Sequence, residues 1–271
     1  MALTDYNEYL QKLGENRIAD FQMTGTFSRT QRLNALWQQI LPTPATPTTS
    51  VALNKDSAQS MGPIPAISTG RLTMLGARMS TSSYGAAGII VVDLLNINGG
   101  LSGIVTGAQT TNLPTAALTR YTTGEGVMAG IVIYTIVGTT ATTISINYTN
   151  QAGTSGRIST VTSFGGTTFR EVNILIPIPL QAGDTGVRSI QSVTVAATTG
   201  TAGNFGVCLF KPLAMISLES ASTNMPLDSV SSGCIINSLC EINPDACLTL
   251  ASIPNAQSAQ NVAAALILAE V

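Results

Sequence analysis

The side chains that most often perform acid–base and metal chemistry are scarce in this sequence. Its 271 residues include no histidine, 12 lysines and arginines, and 14 aspartates and glutamates. Histidine is the usual general base at neutral pH and a frequent zinc ligand, so its absence excludes Ser-His-Asp and Cys-His catalysis within the chain. A Ser-Lys dyad would have to use Lys12, Lys55 or Lys211, and none of them lies in a recognisable motif.

The acidic residues that fall among the predicted strands are Asp93, Glu125, Glu171 and Asp184. Glycoside hydrolysis needs two carboxyl groups that flank the scissile bond, but the spacing of these four does not select a pair. The glycine cluster at 98–103 lacks the Gly-Lys-Ser/Thr ending of a phosphate-binding loop. We therefore predict no catalytic residue and no cofactor, and we interpret the protein as non-enzymatic.

The four cysteines lie in the last third of the chain, at Cys208, Cys234, Cys240 and Cys247. They form no Cys-x-x-Cys pair, and no histidine is present to complete a mixed zinc site. We interpret them as buried or incidental thiols and predict no metal site. A disulfide between two of them would require maturation in an oxidising compartment.

The charge of the chain argues against nucleic acid as a direct partner, and the length of its apolar runs argues against a membrane. The net charge is −2, and the first 50 residues carry four acids and four bases, whereas phosphate binding needs clustered lysine and arginine. The apolar runs at 127–137 and 262–269 are shorter than the roughly 20 residues that cross a bilayer. Residues 1–10 lack the basic start and apolar run of a secretory signal, which favours synthesis in a cytoplasm.

The composition favours an all-β fold. Threonine occurs 36 times and glycine 25 times, among long stretches of valine, isoleucine and alanine. β-Branched residues suit a pleated surface, and glycine and proline separate the strands. Eight strands, enough for a jelly-roll-like sandwich, are predicted at 71–80, 88–95, 127–137, 142–150, 156–163, 171–180, 187–198 and 204–216.

Two predicted strands show clear period-2 patterns, which assign a buried face to each. One buried face consists of Ile144, Ile146 and Tyr148; the other consists of Val172, Ile174, Ile176, Ile178 and Leu180. Pro177 and Pro179 place the end of the second strand at a sheet edge. The strand at 127–137 is apolar on both faces, which is typical of a central strand or an interface, and 150–156 reads as a hairpin loop.

The C-terminal region, 217–271, is less regular. Segments 246–253 and 262–271 are predicted to form a closing hairpin around Pro254-Asn255. The alanine run within 262–270 would also suit a helix, and we choose a strand.

Residues 1–70 are predicted to form an N-terminal arm, with the sandwich at 71–271. A first short helix is expected near residues 3–13, and a second begins near Ser28 and ends at Pro42. The proline-rich segment 41–70 should be extended. The second helix would present one apolar face, formed by Leu33, Leu36, Trp37 and Ile40. This face either folds back onto the sandwich or anchors the chain to another subunit, and we favour the anchor.

The arm, the threonine- and glycine-rich strands, the hairpin Asn-Tyr-Thr-Asn-Gln-Ala-Gly-Thr-Ser-Gly-Arg at 147–157 and the segment Asp-Ala-Cys-Leu at 245–248 together resemble virion structural proteins of tailed bacteriophages. The resemblance implies a jelly-roll or sandwich component of the virion, of the head decoration or cement type and commonly trimeric. Its partners would be copies of itself and the major capsid or other virion proteins. The N-terminal arm would equally suit a head–tail junction or a fibre.

Two other classes of function make different demands on the sequence. A receptor- or carbohydrate-binding adhesin would need an aromatic-lined site, and 5% aromatic residues, with Tyr84 and Tyr121 on predicted loops, provide little for one. A hydrolase would need two close carboxyl groups in a groove. A structural protein accounts for the scarce charges and the arm together.

Overall fold

The prediction of an all-β sandwich is confirmed. The computed structural model describes residues 32–37, 42–62, 64, 71–81, 87–113, 117–218, 225–228, 240–254 and 262–270, and these contain no α-helix. There is accordingly no helix in this part of the chain that is long and apolar enough to cross a membrane. The strands are β1 Asn34–Ala35, β2 Val51–Ala52, β3 Leu72–Thr81, β4 Ala87–Ile97, β5 Gln109–Thr110, β6 Met128–Thr135, β7 Thr142–Asn150, β8 Arg157–Phe164, β9 Leu175–Pro177, β10 Val187–Val195, β11 Asn204–Leu218, β12 Met225–Asp228, β13 Cys240–Ile242, β14 Leu248–Pro254 and β15 Val262–Glu270.

A seven-stranded antiparallel sheet forms the centre of the fold. Its strand order is β1-β14-β4-β11-β6-β9, and β2 pairs with the end of β4. The longest strands, β4 and β11, lie side by side and carry buried residues on both faces, because layers of protein cover both sides of this sheet. The expectation that the run at 127–137 forms a strand covered on both faces is confirmed by β6.

Two smaller sheets cover the same, inner face of the central sheet. The sheet β5-β10-β7-β8 packs on one half and encloses the larger core around Phe205, Phe164 and Tyr148. The sheet of β3, β12, β13 and β15 packs on the other half, where Leu72 and Leu266 meet residues of β4 and β14. The inner face therefore supports two adjacent hydrophobic cores, and a junction lies between them.

The period-2 patterns gave the correct buried faces. Ile144, Ile146 and Tyr148 are buried in the larger core. Ile174, Ile176 and Ile178 are also buried there, although only Leu175–Pro177 pairs as a regular strand. This strand, β9, ends the central sheet, as the two prolines predict. Loop 150–156 joins β7 and β8, with Gly153 at a φ of 82°.

The predicted second helix is wrong over the described residues. Asn34–Ala35 forms a strand that pairs with β14, and the Ala35 amide donates a hydrogen bond to the Asn173 carbonyl. Sheet pairing and burial of the neighbouring Trp37 thus override the helical spacing, because tertiary contacts outweigh local propensity. The first helix, near residues 3–13, lies outside the described residues, as do Ser28 and Ile40.

The proline-rich segment is poor in regular structure where it is described, with β2 as its strand, but it is not extended throughout, because hydrogen-bonded turns form at 43–46, 54–57 and 57–60. It follows the central sheet: the Leu53 amide donates to the Leu95 carbonyl, and the Ser50 hydroxyl donates to the Ile97 carbonyl at 2.7 Å. Leu53 is buried in the same core as Trp37. The described residues of the predicted arm therefore pack against the sandwich, and a boundary near residue 70 stays a prediction.

The predicted C-terminal hairpin is wrong, although both of its strands exist. β14 pairs with β4 in the central sheet, whereas β15 pairs with β3 in a smaller sheet. The choice of strand over helix for 262–270 is confirmed. The two strands do not pair because β14 completes one layer of the sandwich and β15 the opposite layer.

Candidate functional site

A buried ion pair occupies the junction between the two inner cores. Arg120 Nε lies 2.9 Å from Asp93 Oδ2, and its Nη2 lies 2.7 Å from Asp93 Oδ1. The two side chains are 3% and 0% exposed. The Cys247 amide also donates to Asp93 at 2.9 Å, and Arg120 Nη1 donates to the Leu53 carbonyl at 2.8 Å. One pair thus connects the N-terminal segment, β4, the loop before β6 and the loop before β14.

The electrostatics of this pair depend on burial and on mutual contact. Burial raises the pKa of the Asp93 carboxyl, and the hydrogen bonds and charge of Arg120 act in the opposite direction. Burial also disfavours the charged form of Arg120, but Asp93 outweighs that effect, so the pKa of Arg120 is raised. The guanidinium therefore stays charged inside the protein.

The groups around the ion pair do not form an activated nucleophile. Burial raises the pKa of the Cys247 thiol to about 12, and the nearby Asp93 acts in the same direction. The pKa of the Tyr121 hydroxyl is raised as well, mainly by burial. A thiol and a phenol held in their protonated forms are poor nucleophiles and poor general bases. The ion pair and its hydrogen bonds therefore hold separate chain segments together.

A second polar cluster surrounds Asp184 at one end of the sandwich. Its carboxylate accepts hydrogen bonds from Tyr148 Oη at 2.5 Å, Asn150 Nδ2 at 2.8 Å and Arg157 Nε at 2.9 Å. The Tyr148 hydroxyl in turn accepts a bond from the Gln181 amide at 2.8 Å. The hydrogen bonds from Tyr148, Asn150 and Arg157 lower the pKa of the Asp184 carboxyl.

We expect stability to fall in acid partly through Asp184, and Asp184→Asn to remove that part. The folded-state pKa of this carboxyl is below the unfolded value of about 3.9. Its contribution to the free energy of unfolding is complete above the unfolded pKa and is lost as the pH falls through the folded pKa. Urea unfolding of both proteins from about pH 6 to about pH 2.5 measures the difference. Parallel curves would contradict the prediction.

The acids that the sequence offered for catalysis have separate neighbours. Glu125 accepts a hydrogen bond from the Thr185 hydroxyl at 2.7 Å. Asp93 and Asp184 are held in the two clusters described above, and Glu171 also has an interaction partner. The contacts of Asp93, Glu125 and Asp184 do not converge on a shared partner, so they do not define a pair of catalytic carboxyl groups.

Three of the cysteines lie in the described part of the chain and are free thiols. Cys208 and Cys247 are buried, and Cys240 is half-buried. Burial raises the pKa of Cys208 and Cys240 above the usual range. Cys234 lies outside the described residues. Among the residues that the structure describes, no cluster of three cysteine, aspartate or glutamate side chains could hold a metal ion.

The predicted anchor residues do not form one exposed face in the single chain. Trp37 is 2% exposed and packs on the outer face of the central sheet, with Leu33 against the same core. Leu36 is buried in the smaller inner core. This arrangement corresponds to the alternative in which the segment folds back onto its own sandwich. Contact of these residues, and of Ile40, with a partner stays a prediction.

Tyr121 does not offer a free aromatic platform. It is half-buried against the larger core, and Lys211 Nζ lies 5.6 Å from its ring centroid. Tyr84 lies outside the described residues. No sequence motif marks Arg120, and the signal that points to it is Asp93: an acid inside a mostly apolar strand needs a buried partner.

A groove of about 300 Å³ runs between the edge strands β8 and β9. Its lining consists of Thr160, Val161, Thr162, Ser163, Phe169, Ile176, Pro177 and Pro179. None of these side chains titrates near neutral pH, so the groove has no acid or base for catalysis.

Comparisons with known proteins give distant similarities. No protein-family model and no curated protein match the sequence. Among solved structures, the chain is similar to the VP2 subviral particle of infectious bursal disease virus, with 9% identity, 94% of this chain and 82% of that chain covered, and a TM-score of 0.23. T=1 particles derived from the same virus match with 8% identity, 94% and 79% coverage, and a TM-score of 0.20. TM-scores this low do not establish a shared fold, and neither structure comes from a tailed phage.

Proposed function

We propose that the protein is a non-enzymatic structural subunit of a virus particle, of the decoration or cement type. One observation carries the proposal: the buried and half-buried charged groups connect separate chain segments. Arg120 and Asp93 join four segments, and Asp184 joins loop 181–186 to β7 and β8. A protein whose few charged side chains join segments of its own chain is more rigid, and rigidity suits a subunit of a shell.

The surface supports the same proposal. In the part of the chain that the structure describes, seven large apolar side chains are exposed, namely Val51, Ile104, Met128, Ile136, Ile158, Met215 and Ile253. Met215 and Ile253 lie on strands that flank β4 and pair with its residues at the same end. Exposed apolar residues that occur together are typical of protein–protein contacts. The partners would be copies of this chain, with a trimer favoured, and the major capsid or other virion proteins.

The N-terminal region has a place in this function. The described segment 42–62 already runs along the edge of the sandwich, and 31 residues precede Arg32 in the sequence. Such a region is long enough to reach a neighbouring subunit, at up to about 3.3 Å per extended residue. The proposed anchor of Leu33, Leu36, Trp37 and Ile40 would join this region to the sandwich. The protein would be made in the host cytoplasm and reside in the virion.

Co-sedimentation with shells that lack this protein tests the proposal. We expect the full chain to bind such shells saturably, in a fixed ratio to the major capsid protein. A variant without residues 1–31 keeps Leu36 and Trp37 in their cores, so it removes the preceding region without opening the sandwich. Reduced binding of this variant would assign contacts to residues 1–31. Absence of binding by the full chain, with binding to a glycan instead, would favour the adhesin.

A further inference from the structure

Among the described residues, the exposed side chains at one end of the sandwich are uncharged. This end consists of loops 101–108, 136–141, 165–169 and 196–203, which we call the neutral end. The exposed residues of these loops are threonine, alanine, glycine and isoleucine: Ile104, Thr106, Gly107, Ala108, Ile136, Thr139, Thr140, Ala141, Thr167, Ala196, Ala197, Thr198, Gly200 and Thr201. The nearest charges border this surface and are half-buried: Arg170 and Glu171 follow directly in the chain, and the Arg32 guanidinium lies 4.8 Å from the Phe169 ring centroid.

The opposite end of the same strands is charged. Loops 121–126 and 181–186 carry Glu125 and Asp184, Arg157 and Arg188 lie at the starts of β8 and β10, and Lys211 Nζ donates to the Glu125 carbonyl. Strands β6 and β10 run between the two ends, so the difference follows the long axis of the sandwich. Soluble proteins normally distribute charge over exposed loops, and an exposed loop surface without charge shares the depletion of charged residues that marks interface centres.

The loops of the neutral end are fixed to one another. Thr199 is fully buried at their centre. Its amide donates to the Gly103 carbonyl at 2.9 Å, its carbonyl accepts from the Thr140 amide at 3.1 Å, and its hydroxyl accepts from the Gly138 amide at 3.0 Å. A Cβ atom on Gly138 would lie 1.7 Å from the Thr199 carbonyl oxygen, so this approach requires glycine. A surface held in this way loses little conformational entropy when it binds.

Two exposed isoleucines lie beside the same turn. The Gly103 amide, next to Ile104, donates to the Ala202 carbonyl at 2.7 Å. The carbonyl of Ile136 lies 2.8 Å from the position of a Cβ atom on Gly203. Ile104 and Ile136 are 49% and 38% exposed. Both can therefore contribute apolar area to one contact surface.

We infer that the neutral end binds the neutral ends of other copies of this chain around a rotation axis. Near such an axis identical side chains approach one another, so any charge there would meet its own copies and repel them. Threonine hydroxyls both donate and accept hydrogen bonds, and isoleucine packs against isoleucine, so this surface is complementary to itself. The inference rests on the proposed function and locates the self-contact that the shell subunit would use.

Light scattering coupled to size exclusion tests this inference on the full chain. We expect the wild-type protein to form an oligomer and the double variant Ile104→Lys/Thr139→Lys to raise its dissociation constant by at least about tenfold, because like charges meet at the axis. The matched control is Ser155→Lys/Thr154→Lys, which adds the same two charges to exposed positions of loop 150–156 at the charged end. It should leave the oligomer intact.

Mixing variants of opposite charge distinguishes contact between copies of this chain from other causes of dissociation. An Ile104→Glu/Thr139→Glu variant should also fail to assemble alone, and an equimolar mixture of the lysine and glutamate variants should form mixed oligomers. Unchanged circular dichroism would exclude misfolding, since both positions are exposed. A monomeric wild type, an intact lysine variant or a mixture that stays monomeric would each overturn the inference. Shell co-sedimentation of the wild type decides the proposed function independently of these results.

Discussion

Replacing Arg120 with methionine is expected to lower the free energy of unfolding by about 3–5 kcal/mol. The substitution leaves the Asp93 carboxyl in a site where it is 0% exposed and has lost both bonds to the guanidinium. It also leaves the Leu53 carbonyl without its bond to Nη1. Guanidinium chloride unfolding of the variant and the wild type, followed by circular dichroism, measures the difference.

Two further variants separate the cost of an unpaired buried charge from the cost of losing an ion pair in general. Arg71→Met removes an ion pair of the same type, Arg71 with Glu241 at 3.3 Å, in which the side chains are 75% and 61% exposed. It should cost no more than about 1 kcal/mol. Adding Asp93→Leu to Arg120→Met should recover most of the loss, because no unpaired charge remains. Equal losses for Arg71→Met and Arg120→Met would contradict the account of the junction.

Replacing Trp37 with alanine is expected to lower the free energy of unfolding by about 3–5 kcal/mol. The side chain is 2% exposed and packs on the outer face of the central sheet, in the core that also contains Leu53 and Val92. Removing it leaves a cavity beside strand β1 and weakens the attachment of the N-terminal segment. Denaturant unfolding measures the loss.

The control for Trp37 lies on the same segment. Val51→Ala changes a residue that is 63% exposed and should alter the free energy of unfolding by no more than about 0.5 kcal/mol. Since Trp37 is the sole tryptophan, its fluorescence reports directly whether the N-terminal segment is packed against the sandwich. A Trp37→Ala variant as stable as the wild type would show that this residue is not held by the sandwich in solution, and would favour the anchor to a partner.

The strands were predictable because their signals are local. Period-2 alternation places β7 correctly, and the two prolines place β9 at a sheet edge without knowledge of its partner, although the regular strand is shorter than the predicted 171–180. The apolar run of β6 likewise predicts a strand covered on both faces. Each of these signals reflects what one strand exposes or buries.

The errors concern contacts between distant segments. The spacing of Leu33, Leu36 and Trp37 suits a helix, but Asn34–Ala35 pairs with β14, more than 200 residues away in the chain. The proximity of β14 and β15 in sequence suggested a hairpin, but each strand has a longer partner in a different sheet. Local propensity carries no information about such pairings.

The ion pair and the neutral end also combine a signal that is local in the sequence with contacts that only the fold creates. Asp93 stands out in the sequence as an acid in an apolar strand, but its partner Arg120 lies in a loop without a pattern. The four loops of the neutral end are separated in sequence, and only the fold brings them together around Thr199. The sequence therefore identifies single residues, such as Asp93, that need a partner when buried, and the fold shows which residues are their partners.

Electron cryo-microscopy of purified virus particles is the most direct test of the central claim that this chain is a structural subunit of a virion. We expect density for this sandwich in symmetry-related copies on or within the shell. The neutral ends should face one another around a local axis. Particles in which this chain is absent, from an infection in which it is produced in quantity, would contradict the account.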